Sequence, residues 1–241
     1  MEALTSGAVW GALGAIIVAN ILLSGDNAVV IAMAARSLPP QQQRKAIVYG
    51  SAAAIVMRIV LTIVAVQMLQ VPYLKILGAL ALLWIGIQLL LDSEEEGEVK
   101  ETGTMGAAIR TILIADLVMS IDNVIAVAAA ASRAPEHYRL ILLIIGLATS
   151  IPLIIVGSTL LMKIMERFPI IITAGAALLG WLAGEMFATD PAIVAWLKAN
   201  LPHAELVLGI GGAVLVVVVG KWLHHRAARA EADAPMHNSS N

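Results

Sequence analysis

Asn20-Ile21-Leu22-Leu23-Ser24-Gly25-Asp26-Asn27 sets two amides, a hydroxyl and a carboxylate inside an apolar run. The run, 7–35, is otherwise long enough to cross a membrane, which takes about 20 helical residues. Polar groups at that depth are costly unless they face a partner, a cavity or an ion. The same pattern returns as Asp116-Leu117-Val118-Met119-Ser120-Ile121-Asp122-Asn123. The rest of the chain reads as a frame that holds these two stretches against each other.

The composition agrees with a membrane protein. Of 241 residues, 60% are hydrophobic and 13% charged, against about 45–50% and about 25% in soluble domains. The ten-residue alternating segments of a transmembrane β-barrel are not seen. The expected class is therefore all-α and polytopic. Without cysteine, disulfides, thiolate metal ligands and cysteine nucleophiles are excluded. The first apolar run has no basic flank and carries polar residues, so it reads as a mature helix rather than a cleaved leader. No P-loop is present to couple the chain to nucleotide hydrolysis, and nothing points to nucleic acid.

Seven spans are expected: 7–35, 46–69, 73–91, 104–131, 140–162, 168–187 and 206–223. The first should break near Gly25, and the fifth should kink at Pro152. Residues 36–45 read as a polar turn, 92–103 as an acidic loop, and 190–203 as a linker with an interfacial segment around Trp196. The transmembrane domain is expected to fill 1–223, with 224–241 a disordered tail. Lys and Arg fall ten to four on alternate sides of these spans. By the positive-inside rule the N-terminus is outside, and the C-terminus and acidic loop are cytoplasmic.

The chain matches itself. An offset of 96 carries Asn20, Ser24, Asp26 and Asn27 onto Asp116, Ser120, Asp122 and Asn123, and Gly50 onto Gly146. An offset of 97 carries Gly78 onto Gly175, Trp84 onto Trp181 and Gln88 onto Glu185. Repeat one spans about 7–91 and repeat two about 104–189. With three spans each, an odd number, the copies should be inverted, a recurrent design of secondary transporters with midplane sites on interrupted helices. The seventh span has no counterpart.

Asn20, Ser24 and Asn27 share one helical face, as do Asp116, Ser120 and Asn123. Asp26 and Asp122 lie about 120° away on a regular helix. Either the helix unwinds and turns the acid inward, or the acids meet neighbouring spans. Ile121 in place of Gly25 makes unwinding less expected in repeat two. The buried ionisable set is Asp26, Asp116, Asp122, Glu185 and Arg58, with Arg58 expected to pair with Asp26 or Asp122. Four acids and one base need protons or a cation in hydrocarbon.

Carboxylate, amide and hydroxyl oxygens are hard donors that suit Mg2+, Ca2+ or Mn2+. All five histidines fall in loops or the tail, away from such a core. Met119, beside the cluster, reads as packing; were it to reach an ion it would favour Mn2+. Asn20, Ser24, Ser120, Arg58 and Glu185 are candidates for supporting or coupling roles. Asn20 and the serines could equally be interhelical glue.

At Ser24–Asn27 and Asp116–Asn123 the sequence resembles the TerC family, within it the YjbE-like branch. The resemblance covers about 7–223. It is similar in architecture to LysE-type exporters, which implies a three-plus-three inverted fold in a bacterial inner membrane. It implies a transporter rather than an enzyme, most fittingly an exporter of Mn2+. The metal is then cargo, no cofactor is held permanently, lipid is the surrounding partner and protons are a candidate coupling ion. By motif position the implied ligands are Asp26, Asn27, Asp116, Asp122 and Asn123. Three alternatives stay open: a membrane scaffold or insertion factor with a structural polar core, a tellurium-resistance-related protein, and an intramembrane aspartyl protease built on two aspartates.

Overall fold

The computed structural model describes residues 7–22, 24–68, 71–94, 103–131 and 134–232. The described residues form ten helices and no strand. They are α1 (Gly7–Leu22), α2 (Gly25–Arg36), α3 (Pro40–Met68), α4 (Leu74–Glu94), α5 (Met105–Ala131), α6 (Glu136–Ala148), α7 (Ser150–Arg167), α8 (Ile170–Ala188), α9 (Val194–Asn200) and α10 (Ala204–Ala232). Four single helices and the joined α6–α7 are long and apolar enough to cross a membrane; counting the bent pair α1–α2 as one gives six. The expected number was seven; α5, of 27 residues, is not among the six found within the described residues.

Breaks and boundaries follow local chemistry. The α1–α2 pair bends by 45°, and α2 starts at Gly25. Here the Ser24 hydroxyl donates back to the Asn20 carbonyl, a bond that competes with the helical ladder. Its repeat counterpart α5 runs unbroken through Ile121. The fifth span divides at Thr149, three residues before Pro152, which has no N–H to continue the ladder.

The two largest departures from the expected boundaries are at α3 and α10. α3 starts at Pro40 and takes in Arg44 and Lys45, because proline fits a helix's first turn. α10 continues to Ala232, past the end expected at 223. The alanines after Arg226 are strong helix formers, and they outweigh the polar composition that suggested a tail. The acidic residues Glu95, Glu96, Glu98 and Glu101 lie outside the described residues, as does the tail beyond 232. Trp196 lies on the short α9 and is exposed.

Packing is reciprocal between the halves. α3 lies along α5, as α6–α7 lies along α1–α2, and α4 pairs with α8. Single contacts repeat the exchange. A Cβ on Gly50 would meet Ile112 at 2.8 Å, and one on Gly146 would meet Ile16 at 2.4 Å. Gly50 and Gly146 are one repeat apart, and so are Ile16 and Ile112. Thr62 and Ser158, also one repeat apart, each donate to the carbonyl four residues back, Arg58 at 2.7 Å and Ile154 at 2.6 Å.

α10 packs on α8 and α4. At Gly180 and Gly184 the α10 backbone comes so close that a Cβ would meet the Gly212 and Leu208 carbonyl oxygens at 2.3 and 2.0 Å. Small residues spaced by four allow such contact between apolar helices. The outer face of α10 exposes Leu206, Val207, Ile210, Val214 and Val218, a surface suited to lipid rather than water.

Asp190, after α8, is fully buried. Its carboxylate accepts the backbone N–H groups of Tyr73 (3.0 Å), Lys75 (3.1 Å), Ile76 (3.2 Å) and Ala192 (2.8 Å). It caps the start of α4 from across the fold. Burial pushes this carboxyl up, and the four N–H groups together outweigh that, holding it below the ordinary carboxylate range.

Candidate functional site

The two motif faces meet as the spacing predicts. Asn20, Ser24 and Asn27 are buried, and so are Asp116, Ser120 and Asn123. Asp26, off that face, is partly buried in the first turn of α2. Its Oδ1 accepts the Asn27 backbone N–H at 2.8 Å. It lies within electrostatic reach of both Arg58 and Asp116. Asp122 is on α5, six residues past Asp116; its side chain lies outside the described residues.

Arg58 joins the motifs. It comes from the middle of α3 and is 2% exposed. Its Nη2 is ion-paired with Asp116 Oδ1. Its Nε donates to Ser120 Oγ at 2.9 Å and its Nη1 to Asn20 Oδ1 at 3.3 Å. Ser120 Oγ in turn donates to Asp116 Oδ2 at 3.3 Å. The ion-pair partner among the described residues is thus Asp116 rather than Asp26, one of the two expected; the other, Asp122, has its side chain outside them. Asp116 shares the inward face with Ser120, and that face is the one turned toward α3.

Asn20 extends the network. Its Nδ2 donates to Ser150 Oγ at the start of α7, and its Oδ1 also accepts Ser24 Oγ at 3.4 Å. The cluster therefore ties the break between α1 and α2 to the break between α6 and α7. Ser150 and Asp190 are residues the sequence reading missed. A serine in an apolar helix carries no signal of its partner, and an Asp before Pro191 reads as a linker.

Glu185 is elsewhere. It lines a cleft of about 460 Å³ between α8, α9 and α10, with Trp181, Lys198, His203 and Glu205. Met33 and Met119 are core packing residues. Among the described residues no three His, Cys, Asp or Glu side chains converge on one point. A cation taken up by Asp26 and Asp116 would complete its shell with amide, hydroxyl or backbone oxygens, as hard cations do.

The family described as "Integral membrane protein TerC family" matches residues 5–237. The chain is 45% identical over 171 residues to "Uncharacterized membrane protein YjbE" of Bacillus subtilis (strain 168), covering 71% of this chain and 76% of that protein. It is 26% identical over 243 residues to "Uncharacterized membrane protein YceF" of the same organism, covering 97% and 90%. A third relative, "UPF0053 inner membrane protein YgdQ" of Escherichia coli (strain K12), is 28% identical over 134 residues, covering 48% and 56%. No solved structure matches the chain. With its apolar spans and a match over nearly its whole length, this chain is a multi-pass integral membrane protein that belongs to the TerC family.

Proposed function

We propose that the protein is a secondary carrier that exports a divalent cation, Mn2+ foremost, from the bacterial cytoplasm. The carrying observation is the buried cluster at the junction of two interrupted helices, with Asp116 enclosed and Asp26 opening the first turn of α2. The proposed ligands are Asp26, Asn27, Asp116, Asp122 and Asn123. Asn20, Ser24 and Ser120 support them. α5 is the seventh span, and the two halves are inverted copies; the reciprocal packing of the halves supports this.

Charge favours a divalent cargo. With Glu185 lining the cleft at the far end of α8, the cluster set is three carboxylates and one guanidinium. Fully ionised, it is two charges negative. A net charge of that size is not tolerated in a low-dielectric interior without compensation. One divalent cation, or two protons, neutralises it. Export of one cation against two protons therefore moves no net charge. The acidic character disfavours an oxyanion such as tellurite, and the enclosed Arg58 is already committed to Asp116. Rocking of one half on the other exposes the site alternately, with the N-terminus outside and the C-terminus cytoplasmic.

The test is flux from proteoliposomes loaded with Mn2+, Ca2+, Mg2+ or Fe2+ under an imposed pH gradient. Saturable Mn2+ efflux that depends on Asp26 and Asp122 supports the reading. A purified, folded protein that moves none of these ions refutes it and leaves the scaffold reading.

A further inference from the structure

We infer that Arg58 is a tethered counter-cation: its guanidinium occupies Asp116 while the carrier is empty, and the transported ion displaces it. This rests on the reading of the cluster as a cation site. Three observations lead to it.

First, the guanidinium is where cargo would be. It binds Asn20, Asp116 and Ser120, all within the paired motifs. Asp116 has one oxygen on Arg58 and the other on Ser120. A cation on the Arg58-bound oxygen would sit against a guanidinium of like charge, so that oxygen opens to cargo only when the guanidinium moves away.

Second, the pair is confined to one half. One repeat away from Arg58 is Ile154, buried, and one repeat away from Asp116 is Asn20. The other half packs the same helices with no charge at these positions. Architecture alone therefore does not call for an ion pair, and buried ion pairs are often no more stabilising than apolar replacements.

Third, the guanidinium has a second partner in the site. Its Nη1 already bonds Asn20, on the broken side of the site. A pivot about that contact frees Asp116 without stranding the charge.

The consequence concerns the return stroke. After release, a bare buried carboxylate would resist reorientation. Arg58 on Asp116 removes that charge, so the empty carrier resets without needing a proton there.

The experiment uses full-length protein in liposomes with Mn2+ as probe, in two modes. Net efflux runs into metal-free medium, and isotope exchange runs with Mn2+ on both sides. Wild type performs both. Arg58→Ile should lose net efflux about tenfold or more while exchange persists, its half-saturation lowered about tenfold because the competitor is gone. The double variant Arg58→Ile/Asp116→Asn copies the Ile154–Asn20 arrangement. It should recover net efflux, with half-saturation raised by loss of a ligand.

Arg58→Ile with wild-type net efflux overturns the inference, and so does a folded Arg58→Ile that loses both modes. Folding is checked by size-exclusion and melting. If the single variant does not fold, the double variant decides: folded without net efflux, it overturns the inference. Wild type lacking both modes instead refutes the cation-carrier reading, a failure visible before any substitution.

Discussion

Arg58 on α3 and Asp116 on α5 form a buried ion pair, and the residues one repeat away, Ile154 and Asn20, are uncharged. Removing one member leaves the other charge buried and unmatched, which costs about 3–5 kcal/mol. Arg58→Ala should therefore lower the melting temperature in detergent more than Arg58→Ile/Asp116→Asn does. Parallel melting of the three proteins checks this.

The charge count makes a second prediction. One cation exchanged for two protons is electroneutral, so Mn2+ flux should follow the pH gradient. It should not change when the membrane potential is clamped with potassium and an ionophore. Flux that scales with potential would break the count.

Asp26→Asn should weaken Mn2+ affinity by about 10–100-fold, the range seen when even supporting residues of a metal site are lost. Calorimetric titration of purified protein reads it. Glu185→Gln, in the cleft by α9, should leave that affinity unchanged.

Asp190 links pH to stability. Its carboxyl is held below the ordinary range, so its contribution is complete above the unfolded pKa of about 4. It is lost as pH falls through the lower folded value. Asp190→Asn should cost about 0.5–2 kcal/mol at neutral pH, as a lost cap does. The difference from wild type should shrink in strong acid. Denaturation across pH tests both magnitude and sign.

The α8–α10 seam gives a paired test. Gly184→Leu forces a side chain into the Leu208 backbone and should destabilise by about 1–3 kcal/mol or more. Gly211→Leu, where nothing lies within 4 Å, should not. Equal melting temperatures would contradict the seam.

Much of this was legible in the sequence. Asn20, Ser24 and Asn27 advertise one inward face because three polar residues at helical spacing in an apolar run have a single common direction. Gly25 against Ile121 marked which helix breaks. The partner of Arg58 was not legible, since three acids lie at comparable depth and only the rotation of α5 selects Asp116. The Asn20–Ser150 bond and the Asp190 cap join residues more than a hundred positions apart, with no local pattern to announce them. The extension of α10 was hidden by charged residues that suggest a tail, although the alanines between them favour helix.

The break in α1–α2 and the continuity of α5 have a further consequence. Two identical halves would give a carrier whose inward and outward forms are images of each other, equal in energy. Here the image of a broken helix is an intact one, and the image of a charged pair is a neutral one. In the carrier proposed above, the two forms would therefore not be degenerate. The unloaded protein would then have a preferred resting side, with its mouth toward one compartment.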